Sequence, residues 1–153
     1  MIDPLVRRCT GRVDDLDQLR TLEIEARSAL VDQRGGARWL LEHPTIDPGW
    51  ADRCASSEVW VAHIDDVVVG YLVADVTPDP TGELVVHVDQ VWVTPMAREL
   101  GFGDGLLEAA IAAGRARGAV AVEGQALPGD RQTKNLYERA GIVARLITTY
   151  RAL

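Results

Sequence analysis

The chain has 153 residues, 47% hydrophobic and 25% charged, a mixture that excludes a disordered or collagen-like polymer and is met by one domain spanning residues 1–153. Sixteen lysines and arginines against 23 aspartates and glutamates give a net charge of -7. The cations form no stripe, which argues against nucleic-acid and anionic-membrane partners and leaves a field that draws cations.

Met1 to Leu5 lacks a basic region followed by an apolar run, and no stretch reaches the length that spans a bilayer, so an untargeted cytoplasmic chain is expected. Leu5 to Cys9 reads as a first strand. Asp14 or Asp15 is placed to cap a helix whose apolar positions Leu16, Leu19, Leu22, Ile24, Ala26 and Leu30 recur near the helical period, with Gly35-Gly36 ending it. Ala37 to Glu42 reads as a second short helix stopped by Pro44, and Pro48-Gly49 as a turn before a further helical turn from Trp50 to Ala55. Cys9 and Cys54 lie far apart and form no Cys-x-x-Cys pair; neither a disulfide framework nor a zinc site is indicated, and free thiols fit.

Val59 to Ile64, the Asp65-Asp66 turn and Val67 to Val76 predict an antiparallel hairpin. After the turn at Pro78 to Gly82, Glu83 to Val93 is a nearly all-apolar strand interrupted by His87, Asp89 and Gln90. A helix is predicted from about Gly103 to Arg117, with Leu106, Leu107, Ala110 and Ile111 on its apolar face. Val120 to Ala126 reads as a strand, Arg131 to Ala140 as a helix and Ile142 to Tyr150 as a last strand. The order is a strand, helices, three strands, helix, strand, helix, strand.

The segment Arg98-Glu99-Leu100-Gly101-Phe102-Gly103-Asp104-Gly105 leaves a buried strand and opens a helix, so unpaired N–H groups and the positive end of the helix dipole converge on one spot suited to a phosphate. Gly101 and Gly103 permit close backbone approach, and Arg98 can add a charge-assisted hydrogen bond. Taken alone, such a loop also serves simply to turn the chain. A dinucleotide site is a rival, with Glu123 at a suitable distance for a ribose. Against it, Leu106 stands where the third glycine belongs, and too few elements follow to build a second nucleotide-binding half.

Two motifs carry a family resemblance. Arg98, Gly101 and Gly103, preceded by Val93-Thr94-Pro95, match a Gln/Arg-x-x-Gly-x-Gly/Ala pyrophosphate motif, and Leu136-Tyr137-Glu138-Arg139-Ala140-Gly141-Ile142 matches Leu-Tyr-Glu-Lys/Arg-x-Gly-Phe. At this separation and in this element order the chain resembles the GNAT superfamily of acetyl-CoA-dependent N-acyltransferases. The resemblance implies an α/β (α+β) fold: a central mixed, mostly antiparallel sheet flanked by helices, with a splay between the fourth and fifth strands. It implies acetyl-CoA as acyl donor, a small-molecule primary amine as acceptor and a homodimer. Glu99, Leu100 and Asp104 depart from the glycines or cations common in that loop. Asp130 stands where many members place an Asn that donates to the pantetheine arm, which a carboxylate cannot do. Ile142 replaces the usual Phe.

By the same resemblance, the backbone of Val91, Trp92 and Val93 holds the pantetheine and the acyl oxygen, residues Arg98 to Gly105 hold the pyrophosphate, and Tyr137 is the general acid. A phenol with an ordinary pKa of about 10 remains a proton donor at neutral pH; a buried structural tyrosine is the other reading. His87 and Asp89 are two apart on a strand and are expected to share a face with Val91 and Val93, beside the reaction centre, where either can take the amine's proton. The other reading makes His87 a core residue and Asp89 the partner of an arginine. Trp39, Trp50, His43 and Glu25 fall in the region that shapes the acceptor pocket in this family, while Trp60 and Trp92 read as core or interface. A non-catalytic CoA-binding module of the same fold is the alternative function.

Overall fold

The computed structural model describes residues 5–153; Met1 to Pro4, on which the absence of a leader was read, lie outside the described residues. The elements are β1 (Val6–Arg8), α1 (Val13–Leu30), α2 (Gly36–Glu42), α3 (Trp50–Ser56), β2 (Glu58–Ile64), β3 (Val67–Pro78), β4 (Leu84–Val93), α4 (Phe102–Ala116), β5 (Ala121–Gly124) and α5 (Arg131–Arg139), with a 3-10 turn at Pro95–Ala97.

The sheet runs β1-β2-β3-β4-β5. The hairpin turn at Asp65-Asp66 makes β2 and β3 antiparallel, and β1 and β4 flank them antiparallel as well. The α4 crossover returns β5 parallel to β4. That ladder extends only from Val85↔Ala121 to Val88↔Gly124, so among the described residues Asp89 to Val93 have no strand partner on this side. This is the expected splay.

Helical and strand periodicities divide the core into two layers. On one side Leu106, Leu107 and Ala110 of α4 and Leu136 and Tyr137 of α5 cover Leu72, Ala74, Val86 and Val88. On the other, Leu19 and Leu22 of α1 and Trp50 of α3 cover Val59, Val61, Tyr71 and Val73. Gly114 brings α4 onto β4 so closely that a Cβ there would overlap Val86.

Two expectations are corrected. Neither Asp14 nor Asp15 caps α1: the N-cap is Arg12, without a side-chain cap bond. Asp15 lies in the first turn, is 3% exposed, and accepts two hydrogen bonds from the Arg7 guanidinium at 2.8 and 2.7 Å, fastening α1 to β1. The predicted strand from Ile142 to Tyr150 is absent. Ile142 N–H still bonds Tyr137 O, but beyond it the chain makes no backbone hydrogen bond among the described residues, and Leu146 and Ile147 are 88% and 80% exposed. A strand requires a ladder partner, and this segment has none. Cys9 and Cys54 are free thiols, as expected, and although distant in sequence both are buried with their sulfurs 2.8 Å apart.

Candidate active site

The loop between β4 and α4 is shaped by two left-handed residues, Glu99 (φ 64°) and Gly101 (φ 87°), the latter being the N-cap of α4. Gly105 N–H closes the first helical bond to Gly101 O at 3.0 Å. The N–H groups from Glu99 to Asp104 donate to nothing among the described residues. Such a row of free donors at a helix N-terminus is an anion-binding concavity.

The row opens on a cavity of about 280 Å³ whose walls include the expected residues Val91, Trp92 and Val93 of β4, Arg98, Glu99, Gly101, Phe102, Gly103 and Asp104 of the loop, and Asp130. Leu100 and Gly105 do not line it. Leu100 is turned to solvent, and Gly105 is already one turn into the helix. The Arg98 guanidinium lies 4.7 Å above the Trp92 ring while its Nε donates to Val93 O at 3.1 Å. Trp92 Nε1 in turn donates to Glu25 Oε1 of α1 at 2.9 Å.

Gln132, Asn135 and Arg139 of α5 also line the cavity. Sequence reading passed over them, although with Leu136 they recur at i, i+3, i+4 and i+7, one face of a helix. Arg139 Nε pairs with Asp104 at 3.0 Å and so offsets an acidic departure in the loop. Asp130 is the N-cap of α5: it accepts from Thr133 N at 3.1 Å and from Thr133 Oγ1 at 2.7 Å.

The expected face shared by His87, Asp89, Val91 and Val93 does not exist. In the β3–β4 ladder Val73 pairs with Gln90 and Ala74 with Val88, so Asp89 is the extra residue of a bulge. A bulge shifts the alternation by one. Val91 and Val93 therefore face the α4/α5 side with Val88, whereas His87, Asp89, Gln90 and Trp92 face the α1/α3 side. There Arg53 of α3 holds both Asp89 and Asp75 at 3.0 Å, and His87 Nδ1 meets Glu123 of β5 at 2.6 Å. The arginine partner weighed for Asp89 is thus Arg53, and Glu123, considered for a ribose, contacts a histidine. Neither pairing is local in sequence.

Tyr137 projects from α5 onto the Val88↔Gly124 end of the β4–β5 ladder, where the splay begins, and is not one of the residues that line the cavity. It is 7% exposed, and a Cβ added to Gly124, the last residue of β5, would lie 2.5 Å from its Oη and 2.7 Å from Cζ. None of the hydrogen bonds among the described residues uses that hydroxyl. Burial, followed by the nearby carboxylates Asp130 and Asp89, pushes the phenol well above its usual range, so it keeps its proton at neutral pH. Trp39 is stacked on His43 at 4.2 Å and Trp50 is buried against Tyr71, which gives both tryptophans packing roles.

No curated protein matches the sequence. Solved structures do: a tetramutant of a Bacillus halodurans protein (TM-score 0.80, 20% identity, covering 97% of this chain and 99% of that one); an aminoglycoside acetyltransferase from an uncultured soil metagenomic sample, in complex with sisomicin (0.71, 17%, 98% and 96%); and the ribosomal-protein-alanine N-acetyltransferase of Brucella melitensis biovar Abortus 2308 (0.69, 18%, 99% and 99%). At these identities they share its fold. The family model for the acetyltransferase (GNAT) family matches residues 17–142, which takes in the hairpin, the splay, the anion-binding loop and the Leu136-Tyr137-Glu138 run. With that match over most of its length, this chain belongs to the GNAT family of acetyltransferases.

Proposed function

We propose that the chain transfers the acetyl group of acetyl-CoA to a primary amine of a small molecule by direct attack, with Tyr137 as general acid. The observation that carries this reading is the row of free N–H groups from Glu99 to Asp104, which opens on the same cavity as the stretch of β4 left unpaired on its β5 side. The fit is chemical: free backbone donors suit phosphate oxygens, and a strand edge without a partner suits an amide-bearing arm. When bound, acetyl-CoA supplies the activated acyl group as a thioester. Glu99 to Asp104 would hold the pyrophosphate, with Arg98 and Arg139 as the nearby cations, and the Val91 to Val93 backbone would hold the pantetheine and the acyl oxygen.

Tyr137 Oη, protonated and without a protein acceptor, is available to protonate the leaving thiolate. Glu123 at Nδ1 of His87 fixes that ring and leaves Nε2 free to accept the amine's proton, directly or through water. Asp89, shared with Arg53, contributes negative charge that draws the ammonium. The test is release of free CoA thiol from acetyl-CoA with a panel of amines. Aminoglycosides and polyamines head the panel, since an aminoglycoside acetyltransferase shares the fold. A ribosomal-protein alanine N-terminus is the competing arm. Acetyl-CoA at a hundredfold excess over its Kd should add about 2.7 kcal/mol of stability, and Gly103→Val should cancel the gain. A thermal shift with NAD and none with CoA would overturn the reading. The engagement of Asp89 by Arg53 favours one other reading, a non-catalytic CoA-binding module; it predicts the shift with CoA but no thiol release from any amine.

We also infer a single domain over residues 1–153, in the cytoplasm, and a homodimer. Among the described residues no helix is long and apolar enough to cross a membrane. The dimer is supported by the exposed apolar side chains of the tail after Ile142 and by the outer edge of β5, which has no strand partner among the described residues. Exchange of tails between two copies would supply each edge with a strand. Light scattering of the full chain against one truncated after Ile142 tests it: a dimer that becomes a monomer is expected, and a monomeric full chain overturns it.

A further inference from the structure

We propose that Cys9 and Cys54 are a reversible dithiol/disulfide site that links the end of β1 to α3. The two are 45 residues apart, on elements joined through α1 and α2, yet their sulfurs lie 2.8 Å apart. Cys9 is 2% and Cys54 7% exposed, among Leu19, Leu22, Trp50 and Val59. Neither position is loose. Cys9 N–H donates to Val59 O at 2.8 Å, and Cys54 sits inside a helix whose next-door Arg53 is held by Asp75, Asp89 and Ser57. Two thiols fixed at contact distance need little movement to bond, since the backbone already brings them together.

The pair is also asymmetric. The Cys54 thiol donates to the Cys9 sulfur, which lowers Cys9 to about 7 against the opposing effect of burial. That same bond, together with burial, pushes Cys54 up. Cys9 is therefore the thiolate that reacts first.

Because both thiols are buried the oxidant has to be small, and the co-reactant is a peroxide. The Cys9 thiolate attacks one peroxide oxygen, the O–O bond breaks, and hydroxide leaves to become water, giving a sulfenic acid. Cys54 gives up its proton and attacks the Cys9 sulfur; the S–S bond forms, the S–O bond breaks, and a second water leaves. The two sulfurs together lose two electrons and one peroxide is reduced to two waters. A dithiol reductant reverses the bond by exchange. Because α3 carries both Cys54 and Arg53, the crosslink would tie the arginine that engages Asp89 to β1.

The test begins with the fully reduced full-length chain, treated with stoichiometric hydrogen peroxide, quenched in acid and assayed for thiols in denaturant. Expected are a fall from two titratable thiols to none, a Cys9–Cys54 crosslinked peptide in a protein of single-chain mass lighter only by the two thiol hydrogens, and full recovery with dithiothreitol. The single variants separate the roles. Cys54→Ser should accumulate a sulfenic acid at Cys9 that a dimedone probe captures, while Cys9→Ser should leave Cys54 a thiol. To remove any barrier from burial, the reduced chain is also refolded in a glutathione redox buffer, where the same intrachain crosslink should form. Two free thiols after both treatments would overturn the proposal, as would crosslinks only between chains or oxidation centred on Cys54.

Discussion

On the α4/α5 face of the sheet the candidate site is made of backbone: free N–H groups from Glu99 to Asp104 and a stretch of β4 that β3 pairs on one edge and no described strand pairs on the other. On the α1/α3 face it is made of charged side chains drawn from four separate elements, with Arg53 of α3 joining Asp75 of β3 to Asp89 of β4, and Glu123 of β5 against His87. The bulge at Asp89 divides them, since it turns Val91 and Val93 to the first face and leaves Asp89 on the second. The first construction tolerates changes of side chain but not an added Cβ where a ligand or a ring approaches. The second depends on the identity of each charged group and on long-range packing. Tyr137 is where they meet, a side chain from the first face that reaches Gly124 at the end of β5.

The largest expected effect removes that meeting point. Tyr137→Phe keeps the ring and its burial but deletes the proton donor, and turnover should fall by about 10²- to 10⁴-fold with the Kd for acetyl-CoA nearly unchanged. Since burial raises the phenol's pKa, the wild-type rate should show no loss from Tyr137 ionisation up to pH 10. Turnover and affinity measured in the same variant decide the matter: if both stay near wild type, Tyr137 is structural.

Gly124→Ala asks whether position matters as well as chemistry. The new methyl would occupy space held by Oη and Cζ of Tyr137, so the ring must move. A displacement of that order is worth about 10²-fold in rate. If the effect passes through the phenol, Gly124→Ala should cost little once Tyr137 is already Phe. Equal losses in both backgrounds in a double-mutant cycle would sever the link.

Arg7→Leu probes the charged construction away from the site. Asp15 is buried and loses both of its donors, which costs about 1–3 kcal/mol of stability for an acceptor left unsatisfied. The pH dependence carries the sign. The Arg7 hydrogen bonds hold the Asp15 carboxyl below its usual range, so their contribution is complete above the unfolded carboxyl's pKa of about 3.9 and is lost as pH falls through the lower folded value. Denaturant midpoints of wild type and variant should therefore converge in acid; a gap that stays constant down to pH 2 would refute the ion-pair account.

The two constructions were unequally legible in the sequence. The loop announced itself because everything it needs is contiguous: a buried strand, glycines and a helix start within a dozen residues. The hairpin, α4 and α5 were legible for the same reason. Asp89's orientation was not, because period-2 alternation gives no sign of one inserted residue, and the bulge reverses every assignment after it. Nor was Arg53, 36 residues from Asp89, or the buried Glu23, which accepts from Thr45 Oγ1, Ile46 N and Asp47 N and so anchors the loop ahead of α3. The tail from Ile142 to Tyr150 has strand composition, but pairing is a property of neighbours that sequence alone does not supply.

The smallest expected effect tests a residue that belongs to both descriptions. Asp130 faces the cavity, where the family pattern wants an amide donor, and yet both of its oxygens are engaged in capping α5 through Thr133. Asn is as good an N-cap as Asp, so Asp130→Asn should hold stability within a few tenths of a kcal/mol, whereas Asp130→Ala should lose about 1 kcal/mol with the cap. The amide also brings an N–H₂ group that the carboxylate lacks. If that group reaches the pantetheine arm, Asp130→Asn should bind CoA a few-fold more tightly while Asp130→Ala does not. If the capping bonds keep the side chain turned into α5, all three proteins should bind CoA alike and differ only in melting temperature. The two outcomes assign Asp130 either to the ligand-facing backbone construction or to the helix that supports it, and calorimetric Kd values beside unfolding midpoints for the three proteins read both at once.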